Sequence, residues 1–344
     1  PGAQAGQPGT AISVALPTAP VLVMANQVAL ERQGPKSAVI EYTGSAETGR
    51  YRILRDGKLV GEGELQPLPT FSEWSRDKRY FIADFSRFTV PGQYRIEAEL
   101  GDAQAQSAPV QVGDQALFTT IAGKVLEYFR RSRHVGEGDR HLRIYDTQRH
   151  VNVWGGWKDA GGDTGKYLSH LGYANHFNPQ QASMAAWVLA YAAHARRGQF
   201  ERLGLQALVT QEAFWGADYL HRILDRDGYF YTTVFDRWGS AGAERMVTGY
   251  EGEAGTYSGL YRSAFRAGGG MAIAALARAS MLAQLTGTGG EFSGDAYLSD
   301  AVRAFDHLQE FNPRYCADGR ENIIDDYTPL MAAVQLFHAT QPPH

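Results

Sequence analysis

The chain divides into two parts that differ in the period of their hydrophobic positions. From residue 21 to residue 112 the period is that of β-strands, and residues 94–100 alternate strictly between apolar and polar side chains. Residues 51–55 and 58–65 flank Asp56-Gly57, which is a hairpin turn signal. Short strands at this spacing, with no helical stretch between them, predict an immunoglobulin-like β-sandwich.

After residue 113 the period becomes helical. Asp114 is expected to cap a first helix, and the apolar stripe of that helix comprises Leu117, Phe118, Ile121, Val125, Leu126 and Phe129. The further runs with helical spacing are 181–195, 211–224, 270–285, 296–311 and 326–340. About six helices and almost no strand are therefore predicted. The two longest loops, 134–179 and 225–269, carry most of the unusual residues, and loops of this length in a domain are usually functional.

Together these patterns predict a multidomain β + α protein. The predicted divisions are an N-terminal extension (1–20), the β-sandwich (21–112) and a helical domain (113–344). The extension is rich in Ala, Gly, Pro and Gln and does not begin with Met, which fits removal of an export signal as well as a simple boundary. A periplasmic or secreted protein is therefore expected, with the cytoplasm as the alternative.

Composition narrows the classes of partner. The formal net charge of −4 gives no reason to expect nucleic acid or an anionic membrane surface as a partner. No run of apolar residues approaches the roughly 20 needed to span a membrane. The single cysteine, Cys316, excludes an internal disulfide.

Candidate chemistry is concentrated in the first long loop, where Asp159 and Asp163 lie among five glycines between residues 151 and 167. Glycine lets a backbone turn tightly and approach a ligand. Two carboxylates in such a loop can converge on one water, which one deprotonates and the other orients. The two aspartates are equally compatible with a role as ordinary turn residues.

Two other chemistries fit the loop poorly. Gly162 to Lys166 resembles part of a phosphate-binding loop, but Ala160 stands where that motif requires glycine, and Tyr167 follows the lysine in place of Ser or Thr. His170 and His176 lack a tight metal-ligand spacing with the aspartates. Neither a metal nor another cofactor is therefore predicted.

The segment from Gly155 to Asp163, followed by Gly165-Lys166-Tyr167, resembles the Gly-Gly-Trp-x-Asp-Ala-Gly-Asp signature of glycoside hydrolase family 9. Asn26-Gln27-Val28 and Gly34-Pro35-Lys36 resemble the opening strands of the immunoglobulin-like domain that often precedes the catalytic domain in that family. The resemblance covers the chain from about residue 20. It implies that the helical domain belongs to a twelve-helix (α/α)6 barrel.

One departure from the signature bears on the substrate. Both Gly161 and Gly162 stand between Ala160 and Asp163, which is similar to the Asp-Ala-Ser-Gly-Asp form of the exo-β-D-glucosaminidase branch. Further segments that resemble this branch are Ser169-His170-Leu171, Tyr173-Ala174-Asn175, Pro179-Gln180-Gln181, Phe265-Arg266-x-Gly268-Gly269-Gly270 and Glu321 to Tyr327. The resemblance implies release of non-reducing-end glucosamine from chitosan or chitobiose-type oligosaccharides. An endoglucanase or cellodextrinase acting on β-1,4-glucan is the alternative.

The resemblance also implies roles for residues. Asp163 corresponds to the general base and Asp159 to its partner in holding the water, with Asp159 also able to bind a substrate ammonium. An inverting enzyme needs a carboxylic acid roughly 6.5–9.5 Å from the base. In the family this acid is a Glu near the end of the barrel, and neither Glu251, Glu253 nor Glu321 matches that position.

About six helices are predicted where the family has twelve, and uncovered apolar faces are rare in monomers. We therefore expect residues 113–344 to form the N-terminal part of an incomplete barrel, completed by a second chain or segment. If the chain were complete, a carbohydrate-binding module without catalysis would be the alternative. A polysaccharide lyase on a similar helical scaffold is a further alternative, but it gives no role to the aspartate pair.

Predicted substrate contacts surround the two aspartates. Glu251 and Glu253 lie among aromatic residues in the second long loop, which would suit a cationic amino sugar, although a solvated surface loop is equally compatible. Trp157 and Tyr167 are candidates for stacking on sugar rings. His170 completes the predicted substrate-binding set.

Overall fold

The computed structural model of this chain describes residues 20–69, 73, 77–159, 163–176 and 178–341. The predicted N-terminal extension lies outside these residues, apart from Pro20. The chain separates into two compact units, Pro1–Ala122 and Gly123–His344.

The described part of the first unit contains two packed sheets. The strands are β1 (Val21–Met24), β2 (Leu30–Glu31), β3 (Ser37–Tyr42), β4 (Arg50–Arg55), β5 (Lys58–Glu64), β6 (Gln66–Pro67), β7 (Arg79–Asp84), β8 (Gly92–Leu100), β9 (Ala103–Gln106) and β10 (Val110–Gly113). One sheet has the order β1-β3-β7-β6, and the other has the order β2-β10-β8-β4-β5 with β9 paired to β8. The predicted immunoglobulin-like sandwich is confirmed.

Local sequence explains this sandwich. Along β8, Tyr94, Ile96, Ala98 and Leu100 are buried, whereas the residues between them are at least partly exposed, as strict alternation requires. Asp56-Gly57 joins β4 to β5, and both residues have positive φ angles, 50° and 79°, which is the geometry of a two-residue hairpin turn.

The second unit is mainly helical. The helices are α1 (Ala116–Ser132, which begins in the first unit), α2 (Ala182–Ala195), α3 (Arg197–Arg202), α4 (Gln206–Ile223), α5 (Gly270–Thr286), α6 (Gly294–Tyr315) and α7 (Ile323–Thr340). Short strands in the loops are β11 (Leu142–Arg143), β12 (His150–Val151), β13 (Lys166–Tyr167), β14 (Thr233–Phe235), β15 (Met246–Val247), β16 (Gly249–Glu251) and β17 (Thr256–Ser258). Helix α5 packs against α2, α6 and α7, and 13 of its 17 residues are buried.

One predicted cap and some predicted helix starts differ from the structure. Asp114 does not cap α1: it pairs with Arg32, and the Glu31 carboxylate accepts a hydrogen bond from Leu117 N. The helix expected over 211–224 begins earlier, at Gln206, because nothing in that turn breaks the helix. The last helix begins at Ile323 instead of 326. Its cap is Asn322, and Asp325 completes the capping box.

Helix α7 exposes a continuous apolar stripe. Its residues follow a spacing of four and three, and their exposed fractions are Ile323 71%, Tyr327 54%, Leu330 64%, Val334 40% and Phe337 61%. Folded monomers rarely expose so many large apolar residues in one row. None of the helices in the described ranges is both long and apolar enough to cross a membrane.

Candidate active site

The loop between α1 and α2 holds both predicted aspartates, and its entry depends on glycine. Gly155 and Gly156 have φ angles of 98° and 71°, a region that other residues seldom adopt. A Cβ atom on Gly156 would lie 2.9 Å from ring atoms of Tyr219. Side chains are therefore excluded there on both conformational and steric grounds.

Two donors hold the carboxylate of Asp163. Gly165 N donates to Oδ1 over 2.7 Å, and the Tyr167 hydroxyl donates to Oδ2 over 2.8 Å. Burial of Tyr167, together with the neighbouring Asp163 charge, raises the pKa of its phenol far above the usual range. The phenol therefore remains protonated and continues to donate to this half-buried carboxylate.

Asp159 is held from three sides. Gln181 Nε2 donates to its Oδ1 over 3.1 Å, His170 Nε2 lies 3.4 Å from its Oδ2, and its own backbone N donates to Gly165 O over 3.1 Å. Gly165 thus contacts both aspartates, through its carbonyl to Asp159 and through its amide to Asp163. The structure brings the two predicted carboxylates into one cluster.

Aromatic rings form a second link between the aspartates. The His170 ring stacks on Tyr167 with centroids 3.9 Å apart, and His170 Nδ1 lies 2.8 Å from the Tyr250 hydroxyl. Burial raises the pKa of Tyr250 to about 12, so its hydroxyl keeps its proton at neutral pH. Tyr167, Tyr250 and Phe235 belong to one buried cluster. Neither Tyr250 nor Gln181 is among the site residues predicted from the sequence.

Trp157 is fixed within the domain, with an exposed fraction of only 7%. Its Nε1 donates to Glu212 over 2.7 Å, and its ring meets Phe129 edge to face at 5.5 Å. It nevertheless lines, together with Asp159, Tyr167 and other residues, a cavity of about 200 Å³. Any contact of Trp157 with a sugar would have to be made inside this cavity.

The structure does not join Glu251 and Glu253 to this cluster. Both are exposed, in and just after strand β16, where the chain turns toward β17. In the part of the chain that is described, neither carboxylate forms a hydrogen bond or ion pair. They are surface residues here: Glu251 is the exposed last residue of β16, and Glu253 lies in the turn between β16 and β17.

A buried charged network underlies the loop and was not foreseen from the sequence. Lys166 is fully buried and pairs with Asp139 at 2.7 Å. Burial lowers the pKa of Lys166 to about 8, although Asp139 opposes this shift. Burial alone would raise the pKa of Asp139, but the His134 ring 3.2 Å away, the hydrogen bonds from Arg245 and the charge of Lys166 hold it far below the usual range.

Among the described residues, no group of three or more His, Cys, Asp or Glu side chains is close enough to hold a metal ion. His176 is exposed, and its Nδ1 lies 2.5 Å from Ala174 O. Its ring is therefore engaged with its own loop.

Several segments that resemble the glucosaminidase branch meet at one buried junction around Arg266. This guanidinium donates to Asn175 Oδ1 over 2.7 Å and pairs with Asp325 at 3.2 Å. Gln180 Nε2 donates to Arg266 O over 2.7 Å, and Glu321 accepts from Asn312 over 2.7 Å. The residues of these segments are therefore explained by packing between the loop that contains Asn175 and helix α7. No substrate contact is needed to account for them.

Similarity to known proteins agrees with a β-sandwich followed by a helical unit. Residues 19–102 match the family model described as the cellulase N-terminal ig-like domain. The solved structure titled Bacteroides ovatus GH9 is similar over 92% of this chain, with 18% identity and a TM-score of 0.62. The GH family 9 endoglucanase J30 is similar over 90%, with 20% identity and a TM-score of 0.61.

The chain has the fold of these glycoside hydrolases. It spans 61% of the length of the Bacteroides ovatus protein and 60% of the length of J30. No curated protein matches the chain. At these identities the similarity establishes the fold, and the function has to be argued from the site.

Proposed function

We propose that this chain provides the base side of an inverting glycoside hydrolase that cleaves β-linked polysaccharides. The observation that carries the proposal is the fixed carboxylate of Asp163, held by Gly165 N and the Tyr167 hydroxyl. Each carboxylate oxygen has a second lone pair, so Asp163 can still accept a proton from water. Asp159, which shares Gly165 with Asp163, would orient that water.

Two substrates are candidates. Release of terminal glucosamine is supported by the cavity of about 200 Å³ beside Asp159, because it is smaller than the roughly 300–1,000 Å³ pockets that hold drug-sized ligands. It would take a single sugar residue, and Asp159 would pair with the ammonium. Hydrolysis of β-1,4-glucan is supported by the similarity to J30 and by the structural role of the segments around Arg266.

A second polypeptide segment or chain is part of the proposal. It would cover the apolar stripe of α7 and supply the carboxylic acid that protonates the leaving group. Glu321, one of the carboxylates weighed for this role, is engaged by Asn312 instead. We place the activity in the periplasm or outside the cell, where polymeric substrates are accessible.

The test isolates the base side of the reaction. The chain is assayed on 2,4-dinitrophenyl β-D-glucosaminide and 2,4-dinitrophenyl β-cellobioside, whose leaving group departs without a proton, and the product anomer is followed by NMR. We expect the α-anomer first. Asp163→Asn should lower the rate by about 10²- to 10⁴-fold. Asp146→Asn, which changes an exposed aspartate in a turn, should leave the rate unchanged.

The two substrates separate the candidates. Turnover of the glucosaminide alone favours the exo-glucosaminidase, and turnover of the cellobioside alone favours the glucan hydrolase. Initial release of the β-anomer, or an Asp163→Asn variant as active as the parent, would contradict the proposal.

A further inference from the structure

Arg245 joins two carboxylates that contact residues on both sides of Asp159 and Asp163. Its side chain is 18% exposed and precedes strand β15 directly. Nε and Nη2 donate to the two oxygens of Asp139 over 2.7 and 3.0 Å. Nη1 donates to Asp236 Oδ2 over 3.1 Å. One guanidinium thus bridges two carboxylates that are 97 positions apart in the sequence.

The Asp236 arm reaches the residue that follows Asp163. Thr164 Oγ1 donates to Asp236 Oδ2 over 2.6 Å, and Arg245 Nη1 lies 3.5 Å from the same hydroxyl. The Thr164 side chain is therefore fixed by the carboxylate that Arg245 holds. Since Thr164 directly precedes Gly165, this contact helps to orient the Gly165 amide that donates to Asp163.

The Asp139 arm reaches the other side of Gly165. Lys166 pairs with Asp139 and also donates to Gly155 O over 3.0 Å and to Val153 O. Val153 N in turn donates to Asp139 O over 2.8 Å. Asp139 therefore holds both sides of the two aspartates: its carboxylate pairs with Lys166 after Asp163, and its backbone carbonyl accepts from Val153 before Asp159.

The network is also balanced in charge. Lys166 and Arg245 offset Asp139 and Asp236, so the four groups add no net charge beside the aspartate cluster. Removal of the Arg245 guanidinium would leave two carboxylates with a single buried cation. Unbalanced buried charge is costly, so the surrounding loop would rearrange.

We propose that Arg245 is a positioning residue, which fixes the direction of the Asp163 carboxylate by holding Asp236 and Asp139 against both neighbours of Gly165. Its effect on catalysis rests on the proposed hydrolase, but its effect on the loop does not. Arg245 acts through Asp236 and Thr164 on one side and through Asp139 and Lys166 on the other.

The experiment measures amide hydrogen exchange at Asp159 and Gly165 in the substrate-free chain, together with kcat and KM on the dinitrophenyl glycosides. In Arg245→Met, both amides should exchange about tenfold faster or more. The value of kcat should fall about tenfold with KM nearly unchanged, because only the transition state uses the oriented base. Arg245→Lys keeps the charge without the fork and should restore part of the protection.

Two further variants keep the outcome clear. Arg143→Met breaks a comparable but more exposed pair with Glu244, the residue before Arg245, and should change neither measurement. Thr164→Val removes the hydroxyl that contacts Asp236 and Arg245 but keeps the Arg245 side chain, and it should speed exchange at Gly165 even if Arg245→Met does not fold. Parental exchange rates at Gly165 in both Arg245→Met and Thr164→Val would overturn the assignment. Faster exchange without hydrolysis in any variant would support it while contradicting the proposed hydrolase.

Discussion

Tyr167 donates a 2.8 Å hydrogen bond to Asp163, and in the same position it stacks against His170, whose ring lies beside Asp159. Tyr167 therefore contacts Asp163, the proposed base, directly, and it is linked to Asp159 through the His170 ring. Two hydrogen bonds therefore direct Asp163, one from this phenol and one from the Gly165 amide.

Removal of the Tyr167 hydroxyl should reduce catalysis, because it takes away one of the two donors that hold Asp163. A hydrogen bond to a charged group contributes about 1.5–3 kcal/mol, so Tyr167→Phe should lower kcat on the dinitrophenyl glycosides by roughly 10- to 100-fold. Tyr173→Phe is the matched control, because its ring also contacts Tyr250 but its hydroxyl makes no hydrogen bond to the described residues. Equal rates for the two variants would argue against a role for the Tyr167 hydroxyl.

Glu212 should be more important for stability than a surface glutamate. It is completely buried, accepts from Trp157 and pairs with Arg133 at 2.7 Å. Because it leaves Arg133 without its partner, Glu212→Gln should lower the free energy of unfolding by about 3 kcal/mol in urea titrations. Glu201→Gln removes an exposed pair with Arg197 and should cost about 0.5 kcal/mol or less. Similar losses would contradict this prediction.

Because of Asp139, the stability of the helical unit should decrease at acidic pH. The pKa of Asp139 is lower in the folded chain than its ordinary value of 3.8. Between these two pH values the unfolded chain therefore binds more protons than the folded chain. Its stabilising contribution is present above about pH 4 and is lost as pH falls through the folded pKa. Asp139→Asn should therefore cost about 3 kcal/mol at pH 7 and less at about pH 3.

Tryptophan fluorescence can follow this unfolding, because five of the six tryptophans lie in the second unit. Glu137→Gln is the control, because Glu137 is only two positions from Asp139 in the sequence but forms an exposed pair with Arg140. It should change stability little at either pH. A cost of Asp139→Asn that stays constant between the two pH values would show that its charge is not responsible.

The apolar stripe of α7 should contribute little to the stability of this chain by itself. Leu330 is 64% exposed, so Leu330→Ala should change the free energy of unfolding by about 0.5 kcal/mol or less. Leu308→Ala, at a fully buried position of α6, should cost about 2–5 kcal/mol. Denaturant titration compares the two. A large loss for Leu330→Ala would show that the stripe is covered in solution.

Short-range patterns were sufficient for much of the fold. Alternation along β8 and the Asp56-Gly57 turn depend on residues a few positions apart, and they predicted the sandwich correctly. Helix starts were less predictable where a distant side chain intervened. Asp114 has the right chemistry for a cap, but Glu31, 86 positions from Leu117, takes that role.

The candidate site, too, was predicted where local patterns were sufficient and missed where distant residues were needed. Asp159 and Asp163 were identifiable because the segment from Gly155 to Asp163 resembles a family signature, whereas their spacing alone also fits ordinary turn residues. Glu251 and Glu253 had suitable charge and aromatic neighbours, yet the end of strand β16 and the turn after it leave both exposed at the surface. Arg245 was not predicted, since no local pattern connects it to Asp139, 106 positions away.

The sequence alone determined the alternation, the helical periods and the pair of aspartates, because these are properties of residues close together along the chain. Only the tertiary structure decided which donors hold each carboxylate. Gln181, Tyr250 and Arg245 reach the loop from separate elements, and the distances that make them partners exist only after the chain has folded.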